Sequence, residues 1–154
     1  MFGTIRPSSW IQCSSSRDRA KQRNSPGTRS PRRATGRLPL ARGTSRRGYV
    51  VLRPNYRGSS SYGRAFSEAI RGDWGPRESE DVLAGVEYLV ERGGVDSDRT
   101  FVTGFSYGGI TTGYLVTRTD RFAAAAAEHG IYDLRSAYGT DDAHLWWTND
   151  FGLP

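Results

Sequence analysis

The feature that most constrains the fold of this chain is the pentapeptide GFSYG at residues 104–108. It lies between residues 99–104, which predict a β-strand, and residues 107–119, which can form a helix. A strand that passes directly into a helix must turn very tightly, and small residues two before and two after the serine avoid clashes there. Gly104 and Gly108 occupy those two positions. The pentapeptide therefore predicts a strand–turn–helix unit with its serine at the tip.

Such a turn suits a serine that acts as a nucleophile. A serine hydroxyl is a weak nucleophile and must be presented and activated, and a strained turn pushes Oγ of Ser106 out of the sheet. The helix that follows begins with outward-pointing N–H groups and a positive dipole end. The backbone N–H of Tyr107 is thus placed to donate to a developing oxyanion. We predict a serine hydrolase with Ser106 as nucleophile and the Tyr107 N–H in the oxyanion hole.

The segments around this unit alternate between strand and helix patterns. Residues 48–52 predict a buried strand that ends before Pro54, and residues 122–127 predict another strand. Residues 64–70 predict a short helix, and residues 77–92 a longer one with an apolar stripe and acids in its first turns. This alternation is typical of a parallel α/β sheet. We expect a partial α/β-hydrolase fold, a parallel sheet with flanking helices, over residues 48–154.

Residues 1–47 form a different unit. They carry 12 of the 22 Lys+Arg and one acid, a net charge of +11, whereas residues 48–154 carry −5. The segment is rich in Ser, Arg and Pro and has no strand or helix periodicity, so we expect it to be disordered. An alternative is that it is not native coding sequence, since a GC-rich gene translated in the wrong frame tends to have this composition.

Two further interpretations of residues 1–47 concern partners. Clustered arginines could neutralise phosphates in an arm that binds nucleic acid, but Phe2 and Trp10 are the segment's aromatic residues, which leaves a single-strand binder without a stacking platform. The composition also resembles an organelle transit peptide, although repeated proline opposes an amphipathic helix. We therefore do not expect nucleic acid as the partner.

Cysteine content and hydropathy limit the metal sites, the membrane contacts and the cellular compartment that the sequence allows. Cys13 is the single cysteine, so no intrachain disulfide can form, and no Cys/His cluster indicates zinc. No apolar run approaches the roughly 18 residues that span a membrane, and the N-terminus lacks the apolar core of a secretory signal. We expect a cytoplasmic protein with no metal, no cofactor and no membrane contact.

Several segments between residue 48 and residue 154 match a known family. They are GYVVLRPNYRGS at 48–59, GDWG at 72–75, DVLAGVEYL at 81–89, VDSDR at 95–99, GFSYGG at 104–109 and DRF at 120–122. Together they resemble the catalytic domain of the prolyl oligopeptidase family of serine peptidases, most closely its acylaminoacyl-peptidase-like and dipeptidyl-peptidase-like members. The resemblance implies that a peptide substrate is cleaved through an acyl-enzyme on Ser106. Asn55, Arg57 and the Asp73-Trp74 pair look like scaffold, and we expect a structural ion pair or hydrogen bond for Arg57.

The sequence also departs from the family pattern. In this fold the triad runs Ser, Asp, His along the chain, and the family places the last two beyond residue 154. His129 and His144 are the histidines present, and we expect neither to be the general base. No His-Gly-Gly-Pro-like loop, which would supply the second oxyanion donor, precedes Gly48. We therefore expect an inactive fragment of a peptidase domain, with exposed sheet edges that favour self-association.

Two other classes of function stay open. A carboxylesterase or lipase shares the same turn around the serine, although the segments at 55–59 and 72–75 favour the peptidase. A non-enzymatic binding module would use the basic residues of segment 1–47.

Overall fold

The computed structural model describes residues 9–13, 48–60, 62–93 and 95–153. Its strands are β1 (Ser9–Cys13), β2 (Val50–Leu52), β3 (Thr100–Phe105) and β4 (Ala124–Glu128). Its α-helices are α1 (Arg64–Glu68), α2 (Pro76–Glu91), α3 (Tyr107–Val116), α4 (Leu134–Thr140) and α5 (His144–Phe151), and a 3-10 turn spans Ser97–Arg99. From β2 to β4 the elements alternate as the sequence predicts.

The strands form one parallel sheet in the order β2-β1-β3-β4. Ser9 is aligned with Val50 on one side and with Thr100 on the other, while Phe105 is aligned with Glu128 across β3 and β4. All four strands therefore end at the same edge. The parallel sheet with flanking helices confirms the predicted α/β class.

Strand β1 corrects the expectation for the first 47 residues. We expected that whole segment to be disordered, and for Ser9–Cys13 this is wrong, because these residues pair with β2 and β3 at the centre of the sheet. A five-residue strand that receives backbone hydrogen bonds from both sides needs no periodicity of its own. The other residues of 1–47 lie outside the described residues, where disorder and a non-native reading frame stay predictions.

The hydrophobic core lies between the sheet and helices α2 and α3. Val82 and Val86 of α2 pack in one cluster with Val102 of β3 and Leu115 of α3, and three of these four side chains have no exposed surface. Burying one such side chain stabilises the fold by about 1.5–3 kcal/mol. This cluster confirms the predicted apolar face of residues 77–92.

One core assignment within α3 is wrong. The helical pattern of residues 107–119 predicts that Tyr114, Leu115 and Val116 all face the core, but Leu115 is buried whereas Val116 is 46% exposed. Successive residues of an α-helix point about 100° apart, so two neighbours rarely share one narrow contact.

Candidate active site

Ser106 lies at the junction of β3 and α3 with a strained backbone. Its φ of 57° and ψ of −116° place a residue with a side chain in a region that glycine prefers. Such a conformation costs about 1–3 kcal/mol and persists only where surrounding contacts enforce it. The geometry is that of the tight turn predicted for residues 104–108.

Glycine is required at two positions in this turn. A Cβ on Gly104 would lie 2.7 Å from the Cα of Gly108 and closer still to its carbonyl group. A Cβ on Gly109 would lie 2.9 Å from the backbone N of Gly130, and closer to the carbonyl oxygen of Glu128. Because all of these neighbours are backbone atoms, neither clash could be relieved by a side-chain rotation. The chain can pass from β3 into α3 only because Gly104 and Gly109 have no side chain.

Backbone hydrogen bonds hold Ser106 on both sides of the turn. Its N–H donates to the carbonyl oxygen of Glu128 at the end of β4, 2.9 Å away. Its own carbonyl oxygen accepts from the N–H of Ile110 at 3.1 Å, in the first turn of α3. Ser106 therefore stands at the carboxyl edge of the parallel sheet, where ligands bind in open α/β sheets.

Tyr107 is the first residue of α3 and its side chain is buried. The ring meets Trp74 edge to face, with centroids 4.8 Å apart, and the hydroxyl donates to Oε1 of Glu78. The backbone N–H belongs to the first turn of the helix, whose N–H groups point out of its N-terminal end. This placement agrees with the predicted oxyanion role, which stays a prediction.

Arg57 binds helix α2 rather than the region of Ser106. Its backbone N–H donates to Oδ2 of Asp81 at 2.7 Å and its Nε to both oxygens of that carboxylate at 3.0 Å. Its Nη2 donates to Glu80 at 2.6 Å and to the carbonyl oxygen of Arg77 at 3.1 Å. The hydrogen bonds to Asp81 and Glu80 raise the pKa of Arg57 above its ordinary value. The predicted structural ion pair is confirmed.

Trp74 joins the loop at 72–75 to helix α5. Its Nε1 donates to Oδ2 of Asp150 at 2.8 Å, and its ring lies 4.7 Å from Phe151 and 5.2 Å from Trp146, centroid to centroid. The family resemblance implied that Asp73 and Trp74 are scaffold, but it did not indicate their partner. The available signal was the aromatic content of residues 144–151, which place Trp146 and Phe151 against the Trp74 ring.

Both histidines have partners other than Ser106. His129 follows β4 with a φ of 52°, and its ring centroid lies 4.9 Å from that of Phe105. The Nδ1 of His144 lies 3.0 Å from the carbonyl oxygen of Tyr138. Among the described residues, no hydrogen bond joins the Ser106 hydroxyl to either ring.

Two kinds of feature are absent from the described ranges, a membrane-spanning helix and a cluster of metal ligands. No helix there combines the length and the apolar character needed to cross a membrane. No three acidic, histidine or cysteine side chains in those ranges come close enough together to hold a metal ion.

Comparison with known families gives a match over most of the chain. The model of the prolyl oligopeptidase family matches residues 40–153. Among curated relatives, the uncharacterized peptidase YuxL of Bacillus subtilis is 38% identical over 104 residues, 67% of this chain and 16% of the relative. Dipeptidyl-peptidase 5 of Porphyromonas gingivalis is 38% identical over 109 residues, 70% of this chain and 16% of the relative. The chain thus spans about a sixth of the length of these relatives.

Solved structures agree with this match. A puromycin-hydrolyzing peptidase of Mycobacterium tuberculosis superposes with a TM-score of 0.73 at 33% identity, over 97% of this chain and 22% of that one. The acylaminoacyl peptidase of Pyrococcus horikoshii shares the fold with a TM-score of 0.79 at 24% identity, over 97% of this chain and 23% of that one. The strained serine turn, the parallel sheet around it and the match over residues 40–153 lead to one conclusion: this chain belongs to the prolyl oligopeptidase family and has part of its α/β-hydrolase fold.

Proposed function

We propose that this chain carries the nucleophile of a serine peptidase that cleaves peptide bonds through an acyl-enzyme on Ser106. The observation that supports this most strongly is the backbone of Ser106, which is strained at the carboxyl edge of the sheet in a member of a peptidase family. Strain of this kind costs stability and clusters at functional sites. A serine in an ordinary surface turn has no need of it.

The proposed reaction begins with attack of Ser106 Oγ on the carbonyl carbon of a peptide bond. The carbonyl oxygen becomes an oxyanion and accepts a hydrogen bond from the Tyr107 N–H, an interaction that is worth about 10²–10³ in kcat at comparable sites. The C–N bond then breaks and the amine leaves with a proton, which leaves an ester on Ser106. Water hydrolyses this ester and restores the hydroxyl.

The first step requires a base that takes the proton of Ser106. Within the described residues, His129 packs on Phe105 and His144 lies against a carbonyl oxygen, and neither forms a hydrogen bond with the serine. We therefore propose that the 154-residue chain, tested alone, does not turn over peptides. Removal of the histidine from a catalytic triad lowers kcat by about 10⁶.

A chimera tests the function separately from the activity of the chain alone. Residues 48–153 would replace the matching segment of the Mycobacterium tuberculosis puromycin-hydrolyzing peptidase, which covers 97% of this chain. We expect the chimera to hydrolyse puromycin and an aminoacyl p-nitroanilide, and to lose both activities in Ser106→Ala. Ser97→Ala, a change at an exposed serine, is the matched control. A folded chimera that is inactive, or one that is unaffected by Ser106→Ala, contradicts the proposal.

The chain alone needs a second assay. A fluorophosphonate probe should not label the purified chain, and the chain should not release p-nitroaniline from a peptide p-nitroanilide. Turnover by the purified chain that disappears in Ser106→Ala would show that a proton acceptor is present after all, and would refute the proposed inactivity while supporting the peptidase function.

We also propose that the chain associates with itself through strand β4. Within the described residues this strand pairs on one side only, with β3, and all five of its residues are exposed. An exposed edge of this kind can pair with the edge of a second copy. Sedimentation should give a mass above that of one chain, and Ala126→Lys should lower it. A single-chain mass at all concentrations contradicts this.

The expected cellular setting is the cytoplasm. Residues 48–154 contain no cysteine, which suits a reducing compartment. Cell fractionation of the source organism tests this, and recovery from the secreted fraction would contradict it.

A further inference from the structure

The tight turn at residues 104–108, which we call the nucleophile elbow, is held on one flank by β4 and on the other by Tyr107. On the β4 side, the Ser106 N–H donates to the Glu128 carbonyl oxygen at 2.9 Å. On the other side, Tyr107 is 6% exposed and is enclosed by aromatic rings, with Trp74 at 4.8 Å and Tyr56 at 6.4 Å between centroids. Because the N–H of Tyr107 is the predicted oxyanion donor, the fixation of its side chain also sets the direction of that N–H.

The hydroxyl end of Tyr107 is held by one carboxyl group. Oε1 of Glu78 accepts the hydrogen bond from the Tyr107 hydroxyl, and Oε2 accepts one from the Gly75 N–H at 3.0 Å. Glu78 lies 29 residues before Tyr107 in the chain and belongs to the first turn of α2. One side chain thus connects the start of α2 to the start of α3.

Capping of α2 does not by itself account for the burial of Glu78. An acid at this position of a helix can reach back to the capping backbone N–H while it stays in water. Glu78 instead has no exposed surface, and that burial raises its pKa, with the Asp73 charge adding a smaller effect in the same direction. Burying a carboxyl group costs free energy unless its hydrogen bonds compensate. The arrangement therefore indicates a role in addition to helix capping.

We propose that Glu78 is a positioning residue for the nucleophile elbow, which holds Tyr107 so that its backbone N–H faces the reacting oxygen at Ser106. This inference rests on the proposed function for the identity of the site. The physical claim is that Glu78, through Tyr107, determines how strongly the N-terminal end of α3 stabilises a negative charge at position 106. This can be measured without peptidase turnover.

The pKa of a thiol at position 106 reports how strongly a negative charge is stabilised at the tip of the elbow. In the full chain carrying Ser106→Cys, the thiol at position 106 lies at the N-terminus of α3, which lowers a thiol pKa from its ordinary value of about 8.5. The rate of alkylation by iodoacetamide is measured against pH, and the modified peptide is quantified by mass spectrometry separately from that of Cys13. The same chain, unfolded in concentrated urea, supplies the unperturbed titration.

Two variants remove the contact and a third is the matched control. Tyr107→Phe deletes the hydroxyl and keeps the ring, whereas Glu78→Ala deletes its acceptor. Both should raise the thiol pKa and slow alkylation at pH 7 by roughly threefold, the scale of a helix-terminus interaction. Ser79→Ala alters a neighbouring residue of α2 whose buried hydroxyl has no hydrogen-bond partner among the described residues, and it should leave the rate unchanged. Glu78→Gln keeps an oxygen acceptor for the Tyr107 hydroxyl, so its rate should lie closer to the parent than that of Glu78→Ala.

The outcomes separate this proposal from the proposed function. A lowered thiol pKa that rises in Tyr107→Phe but not in Ser79→Ala supports positioning, even if the chimera described above has no peptidase activity. Equal profiles for the parent, Tyr107→Phe and Ser79→Ala in cooperatively folded chains overturn it, even if the chimera is active. A thiol at position 106 that titrates as it does in urea overturns it as well, and that measurement needs no destabilising variant.

Discussion

Gly104→Ala perturbs the turn around Ser106 without changing the serine itself. The new Cβ would lie 2.7 Å from the Cα of Gly108, where ordinary contacts begin at about 3.4 Å, so β3 and α3 would have to separate by at least about 0.7 Å. Forcing extra volume into a packed site costs about 1–3 kcal/mol. The separation would also strain the 2.9 Å hydrogen bond from Ser106 to Glu128, which adds about 1 kcal/mol. We expect a loss of about 3 kcal/mol in the free energy of unfolding.

Urea unfolding followed by far-UV circular dichroism and tryptophan fluorescence measures this loss. In thermal unfolding, 3 kcal/mol corresponds to a decrease in Tm of roughly 15 °C for a domain of this size. The matched control is Gly139→Ala in α4, where a Cβ meets nothing within 4 Å. Alanine is the better helix former by up to about 1 kcal/mol, so this variant should be equally or more stable than the parent.

The comparison of the two variants can refute the reasoning. If Gly104→Ala unfolds within about 0.5 kcal/mol of the parent, which is the size of an ordinary surface substitution, the close approach of β3 and α3 is wrong. If Gly139→Ala is as destabilising as Gly104→Ala, the effect belongs to glycine replacement in general and not to the turn.

Three further predictions concern the residues that hold the site together. Trp74→Phe removes the 2.8 Å hydrogen bond from the indole to the Asp150 carboxylate, so the free energy of unfolding in urea should fall by about 1–3 kcal/mol, the scale of a hydrogen bond to a charged group, and no change would contradict it. Burial raises the pKa of Glu78 above 4.5, so the folded chain holds that proton more tightly than the unfolded chain and stability should decrease as pH rises above 4.5. Glu78→Gln should flatten this decrease in urea titrations at several pH values, and an unaltered slope would count against it. Arg57→Lys cannot reproduce the paired hydrogen bonds to Asp81, and urea unfolding should show a loss of about 1 kcal/mol that the same change at the exposed Arg99 does not.

The elements predicted best from the sequence are those whose requirements are local. The turn at residues 104–108 needs small residues at fixed spacing, and Gly104 meets the backbone of Gly108 as that spacing implies. Helix α2 begins at Pro76, one residue before the predicted start at 77, because a proline is tolerated at the first position of a helix. The alternation of elements predicted β4 correctly although a run of alanines favours a helix.

The elements missed from the sequence depend on distant partners. Ser9–Cys13 lies in a segment without periodicity, and it becomes a strand because β2 and β3 flank it. Helices α4 and α5 follow β4 in residues for which we predicted no structure, and α5 is fastened by Trp74 from a loop 76 residues earlier. The pairing of β1 leaves no local signal, and that of α5 leaves only the aromatic content of residues 144–151.

The sequence alone determined the tight turn around Ser106 and the parallel α/β class, because tight turns and amphipathic stripes are set by residues within a few positions of one another. The tertiary structure decided what surrounds Ser106. The sequence places Glu78 among the acids in the first turns of a helix, where they favour its dipole, but it does not show that Glu78 is fully buried against Tyr107. Burial and the direction of a side chain depend on which elements pack together, and this packing brings α2 and α3 into contact across 29 residues of chain.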